Sequence, residues 1–191
     1  MLSSQLRQLI RSLVVIQQVI WVVITGSIVF YCGTIYVLVE NHGSRSVSTS
    51  AALKTGLYAV AFLVALASFY IRQRFLSDES LRRLLNADID LEELAKDMRT
   101  KTTDSEKFAR LQSLSDFEQR IFSLMYYLQK ITFVNLFMNE IVVILGFVLA
   151  FLSGDPGTII PFGAVSLVLS LWMYPRSGKI TERARYLYST L

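Results

Sequence analysis

A chain of 191 residues with 53% hydrophobic and only 18% charged side chains departs from a soluble globular average, and its apolar residues fall in a few long blocks, which excludes a single water-soluble domain. The net charge of +4 comes from basic residues interleaved with acids in the connecting segments; they make no continuous basic stripe, so no nucleic-acid partner is expected. One cysteine, Cys32, and one histidine, His42, exclude an intrachain disulfide and a cysteine/histidine metal cluster, and neither a metal nor a cofactor is expected.

Residues 1–12 are a short polar start with Arg7 and Arg11, followed by an apolar run over residues 13–39. That run is too long for a signal-peptide core and no small-residue cleavage site follows it, so it predicts a retained spanning helix. A polar loop containing His42, Ser44 and Arg45 leads into a second span at residues 51–71, where Lys54 can snorkel to the interface. Residues 72–130 are the only sizeable water-facing segment and hold three short helical pieces: 77–86 with Leu81, Leu84 and Leu85 on one side, 90–99 with Leu94 and Met98, and 104–113 with Phe108 and Leu111. Each begins at a serine or aspartate able to cap it. Too small to make a core alone, they are expected to pack on one another, on the base of the helix that follows, or on lipid headgroups.

That following helix opens on a capping box, Ser115-Asp116-Phe117-Glu118, in which the serine hydroxyl takes a free amide and the glutamate reaches back to the serine amide. No proline or turn signal interrupts residues 116–152; at 1.5 Å per residue they span about 55 Å, more than a hydrocarbon core of about 30 Å, so one end projects into water. The dry part is 131–152, between Lys130 and the turn cluster Ser153-Gly154-Asp155-Pro156-Gly157. A fourth span, 157–174, is entered through Pro161 and stopped by Pro175. The basic tail, 176–191, reads as an interfacial helix carrying Arg183, Arg185, Tyr186 and Tyr188. The predicted fold is therefore all-α and polytopic, a four-helix bundle made of a first transmembrane hairpin (1–71), a helical module (72–130), a second hairpin (131–175) and a tail (176–191).

Arginines and lysines number two before the first span, eleven from Arg72 to Lys130 and four after Pro175, against Arg45 and Lys54 alone on the opposite side. The positive-inside rule then places both termini and the module in the cytoplasm. Small and polar residues recur at helical spacing inside the spans: Gln18, Thr25 and Cys32; Ala61, Ala65 and Ser68; Asn135, Asn139, Gly146 and Ala150; Gly163, Ser166 and Ser170. They read as helix-packing seams. The hairpins also look faintly alike: Val22-Val23-Ile24-Thr25-Gly26 matches Val142-Val143-Ile144-Leu145-Gly146 at about the same depth, an alignment in which Ile20 stands where Glu140 stands.

Glu140 is the sharpest functional clue. A charged side chain at mid-membrane costs about 3 kcal/mol on insertion scales, so the acid is expected to be neutral, or to face the bundle interior and be bridged by Gln17, Gln18 or a hydroxyl, with Asn135 and Asn139 beside it. One reading makes it an interhelix hydrogen-bond donor and the other a proton-binding carboxyl; no second acid, histidine or lysine lies at that depth. Asn86, Asp88, Asp90, Glu92 and Asp97 imitate calcium-loop spacing, but Leu91 occupies the turn-glycine position, and helix capping accounts for them better. With no phosphate-binding glycine loop, no nucleophile beside a base and no paired carboxylates at membrane depth, an enzyme is not expected.

The segment Asn139-Glu140-Ile141-Val142-Val143-Ile144-Leu145-Gly146 resembles the acid-bearing helix of rotary ATPase proteolipid subunits, where a carboxyl followed by an apolar run and a glycine binds the transported ion. That resemblance implies proton or cation translocation by an oligomer through Glu140. The chain departs from the family in lacking a glycine-rich partner helix and in carrying the acid on the first helix of its hairpin. From Leu128 onward, including Pro175-Arg176 and Lys179-Ile180-Thr181-Glu182, it resembles small bacterial four-span membrane proteins of no assigned activity, which implies the bacterial inner membrane as its location. The expected role is that of a structural, assembly or accessory subunit in the lipid bilayer, forming a homo-oligomer or bound to another membrane protein.

Overall fold

A computed structural model describes residues 3–42, 50–97, 104–174 and 177–189, and among these every regular element is helical. The elements are α1 (Ser4–His42), α2 (Ala51–Phe75), α3 (Asp78–Asn86), α4 (Leu91–Asp97), α5 (Asp104–Gln112), α6 (Asp116–Ser153), a 3₁₀ turn (Pro156–Ile159), α7 (Ile160–Trp172) and α8 (Ser177–Ser189). Three of them, α1, α2 and α6, are long and apolar enough to cross a membrane. The chain divides into two compact units, one of Gln17–Gln73 and Ile131–Tyr174, the other of Met1–Ile16, Arg74–Lys130 and Pro175–Leu191. The first sixteen residues thus group with the module and tail, and the apolar unit begins at Gln17 rather than at residue 13.

In the apolar unit α6 has a neighbour on three sides, and its sequence shows why. Residues seven apart on a helix share a face. Val142 and Leu149 meet Ala61 of α2, while Val143 and Ala150 meet Ile28 and Ile35 of α1. Asn139 and Gly146 meet Ser166 and Phe162 of α7. The fourth side, with Val134, Phe137, Ile141, Ile144, Val148 and Phe151, is exposed. The paired levels make α1 parallel to α6, and α2 and α7 antiparallel to it. A helix apolar on every side follows from this arrangement.

The apolar segment expected at 157–174 is helical from Pro156 to Trp172, its first turn wound as 3₁₀. Asp155 accepts hydrogen bonds from the Gly157 amide (2.9 Å) and the Thr158 hydroxyl (3.1 Å), which winds the entry tightly. The Ile160 amide then donates to the Gly157 carbonyl in 3₁₀ fashion. Pro161 has no amide to make the next α-helical bond. The α-helix proper is the 13 residues of α7, about 20 Å, so this segment falls short of the length that α1, α2 and α6 reach.

The other unit has a core of its own, so of the three coverings open to its short helices the structure shows packing on other helices. Leu6 and Leu13 of α1, Leu81 and Leu85 of α3, Leu94 of α4, Leu111 of α5, Ile121, Phe122 and Leu124 of α6 and Leu187 of α8 are all buried. The capping box forms: the Ser115 amide donates to Glu118 and the Glu118 amide to Ser115 Oγ, each at 3.4 Å. Glu118 also accepts from the Ser3 amide at 2.6 Å, and that amide, ahead of the two serine side chains and the Ser115 amide, holds its carboxyl below the usual carboxylate range. Arg120 binds Asp116 at 2.9 Å and donates to the Leu85 carbonyl at the end of α3, where the helix leaves acceptors unfilled. Asp90 caps α4 through the Glu92 amide at 2.9 Å, the role the sequence assigned to that acidic run. The tail helix α8 packs within this unit: Arg183 pairs with Asp78 at 2.7 Å, and the Tyr188 ring lies 4.6 Å from that of Phe117. Leu94 and Leu111 are therefore core residues rather than a free docking face; Met98 lies outside the described residues.

Two glycines matched by the hairpin alignment behave oppositely. A Cβ on Gly146 would stand 2.5 Å from Phe162 Cβ, whereas one on Gly26 meets nothing within 4 Å. Gly146→Ala is expected to destabilise the chain by about 1 to 3 kcal/mol through overpacking, while Gly26→Ala should be neutral or slightly stabilising. Reversible unfolding in mixed micelles checks this, and equal effects of the two substitutions would contradict the α6–α7 contact.

Candidate functional site

Between Ile131 and Leu152 the only ionisable acid is Glu140, ten residues beyond Lys130 and thirteen before Ser153. Along α6 these distances are about 15 Å and 20 Å, so the carboxyl belongs to the middle of the apolar stretch. It is half-buried on the α1 side of α6, where Ser27 Oγ lies 3.1 Å from Glu140 Oε1. One helical turn pair further along the same side, Phe147 meets the ring of Tyr31 edge-on at 5.8 Å.

Ser27 Oγ is also 2.7 Å from the Ile24 carbonyl. A hydroxyl carries one proton. Ser27 Oγ therefore shares its donation between the Ile24 carbonyl and the Glu140 carboxyl, and the second of these contacts joins α1 to α6.

Gln17 and Gln18 are not brought to this acid. They stand ten and nine residues before Ser27 on α1, about 14 to 15 Å along the axis, and the register of two parallel helices keeps them apart. The residue of α1 that meets Glu140 is Ser27, seven residues and about 10 Å beyond Ile20, the counterpart of Glu140 in the hairpin alignment. Ser27 carries no motif. Its position becomes legible only once the apolar unit is taken to start at Gln17, since Ser27 then lies ten residues in and Glu140 nine residues beyond Ile131.

Asn135 and Asn139 form a separate polar cluster, because one residue step turns a helix by about 100° and directs residue 139 away from residue 140. Ser68 Oγ of α2 lies 3.3 Å from Asn135 Oδ1 and 3.1 Å from Asn139 Oδ1, and all three side chains are buried. With a single hydroxyl proton between two amides, one asparagine presents its NH₂ to Ser68 and the other its oxygen; the two orientations of an amide differ only in such a network. The Asn139 amide nitrogen reaches Met173 Sδ at 3.5 Å, and the buried Ser166 hydroxyl of α7 donates to the Asn139 carbonyl. The cluster ties α2, α6 and α7. The hydroxyls of Thr25 and Ser170 are buried without a hydrogen bond.

Among the described residues no three histidine, cysteine, aspartate or glutamate side chains converge. No family model, curated protein or solved structure matches the chain.

Glutamine at position 140 keeps the size and a hydrogen-bond donor, and alanine keeps neither. Glu140→Gln should be nearly silent in stability, while Glu140→Ala should cost about 1 to 3 kcal/mol, a cost that shrinks on a Ser27→Ala background. Equal losses for Gln and Ala in mixed-micelle unfolding would contradict a bridging hydrogen bond between position 140 and Ser27.

Proposed function

We propose that the chain is a four-span protein of the bacterial inner membrane, with both termini and the helical unit in the cytoplasm, and that it serves as an assembly or accessory subunit, self-associating or bound to another membrane protein. The observation that carries this reading is how the intramembrane polar groups are used: Glu140 is bonded to Ser27, and Asn135 and Asn139 to Ser68, all within one chain and all between helices. Polar side chains spent on holding helices together leave function to the surfaces.

The fourth span is supported by packing rather than length. Phe162 lies on Gly146 and Ser166 on Asn139, so α7 follows the apolar part of α6 back through the layer. The helical unit supports the accessory role, because it is folded on its own core and offers a recess of about 260 Å³ between α4 and α5, lined by Glu92, Ala95, Lys96, Ser105 and Phe108.

A second reading, proton or cation translocation by an oligomer through Glu140, is favoured by one observation: the carboxyl is only half-buried and is not sealed inside the unit. Reconstituted vesicles separate the two. The accessory role predicts no proton or cation flux under an imposed gradient, together with a small discrete particle in mild detergent. A closed ring of subunits whose flux is abolished by Glu140→Gln, with the fold retained, would replace it with the translocation reading.

A further inference from the structure

The outward surface of the apolar unit is bounded by charges and aromatic rings, and three of its helices give nearly the same distance between the bounds. On α2 no charged residue stands between Lys54 and Arg72, eighteen residues apart, or about 27 Å of helix. From Asp155 to the end of Trp172 the chain runs through 4 residues of 3₁₀ helix and 13 of α-helix, about 28 Å in all. The uncharged stretch of α1 is longer, but Trp21 marks the level at which it meets the other two. Its indole donates to the Ser170 carbonyl at 2.7 Å and its ring meets Tyr174 edge-on at 5.1 Å, on either side of Trp172, over which Arg72 lies at 4.6 Å. From Trp21 to Glu40, the first charge that follows on α1, is nineteen residues, again about 28 Å.

The residues at these bounds are those of a membrane interface. Tryptophan and tyrosine concentrate where hydrocarbon gives way to headgroups. Both tryptophans of the chain stand at one bound. At the other, Glu40, Lys54 and Asp155 are exposed, with the exposed rings of Tyr36 and Tyr58 about one turn inside the first two. Between the bounds every helix of the unit turns a bulky apolar side chain outward: Phe30, Phe62, Phe137 and Val168. Lys54 can reach outward along its stem, but the shorter side chains of Glu40 and Asp155 cannot. A helix longer than the layer can tilt, as α6 is free to do over its roughly 33 Å from Ile131 to Ser153, whereas a shorter one cannot lengthen. The short spans therefore limit the layer.

We propose that the apolar unit is matched to a phospholipid bilayer with a hydrocarbon layer about 27 Å thick, thinner than the usual ~30 Å, and that it binds lipids of matching chain length in preference to longer ones. This rests on the four-span reading proposed above. The bounds recur on α1, α2 and α7, and outward-facing apolar side chains on all four helices, so the surface needs a partner that surrounds the unit. Lipid does so; a second copy seated on one face does not.

The test uses the full chain reconstituted in phosphatidylcholines whose chains lengthen from myristoleoyl to nervonoyl, with the hydrocarbon thickness of each bilayer taken from X-ray scattering. Flotation is read first, and a chain that floats in none of them contradicts the four-span reading itself. Where it floats, tryptophan quenching by the brominated form of each lipid in competition with dioleoyl-phosphatidylcholine gives relative binding. The maximum is expected at a layer of about 27 Å, with binding about threefold weaker at about 35 Å. Val37→Asp sets a charge three residues inside Glu40 at an exposed position of α1, and should move the maximum to a layer thinner by up to about 4 Å. Val37→Leu should leave it in place. If Val37→Asp does not insert, the maximum of the native chain decides. A floating chain that binds all lengths equally, or that binds best at about 33 Å or more, would overturn the proposal, as would a maximum that an inserted Val37→Asp chain shares. A maximum that moves with the protein-to-lipid ratio would give the surface to a second copy and overturn the lipid assignment.

Discussion

A helix long and apolar enough to cross a membrane, with two asparagines and a glutamate in its apolar stretch, finds hydrogen-bond partners for them on neighbouring helices. That pairing organises the apolar unit. Three seams on α6, spaced by heptads, face α2, α1 and α7, and each contains a polar contact: Asn135 and Asn139 with Ser68, Glu140 with Ser27, and the Asn139 carbonyl with Ser166. Between these contacts small residues bring the backbones close. Gly146 accepts Phe162, and a Cβ on Gly163 would come within 2.7 Å of Cys32 Sγ. Hydrogen bonds of this kind are modest in membranes, averaging about 0.6 kcal/mol where measured, but an unpaired amide there costs more than the bond returns. They therefore fix register more than they add stability.

The second unit solves a different problem. Segments of nine, seven and nine residues, α3, α4 and α5, are too short to hold a helix in water by propensity alone. They are held instead by the buried leucines Leu81, Leu85, Leu94 and Leu111, by packing of α4 on α5 and by packing of α3 on the tail helix α8. Capping groups close the ends, and the bond from the Ser3 amide to Glu118 joins the starts of α1 and α6.

Much of this was legible in the sequence because it is written in period and punctuation. The capping box at Ser115, the breaks at Ser77 and Asp90, and the small-residue seams through Ala61, Gly146 and Ser166 each follow from a local rule, and the helix bounds agree with them within a few residues. Pairings between helices were not legible, since they depend on where each helix enters its unit. The hairpin alignment sets Ile20 level with Glu140, which puts Gln17 and Gln18 within a turn of it, whereas the observed register brings Ser27, seven residues later, to the acid. In the tail, the alternation of charge with Ala184 and Leu187 suits an interface with lipid or with protein alike, and the structure shows α8 packed on α3. The short fourth helix follows from Pro161 removing one amide, whose consequence depends on the 3₁₀ turn before it.

The central claim, that polar contacts to α6 set the arrangement of the apolar unit, is tested most directly by a double-mutant cycle on Ser68→Ala and Asn139→Leu, measured by reversible unfolding in mixed micelles. The account requires a coupling energy of about 0.6 to 1.7 kcal/mol between the two sites. Losses that add to within about 0.3 kcal/mol would contradict it, since independent sites show only that much deviation.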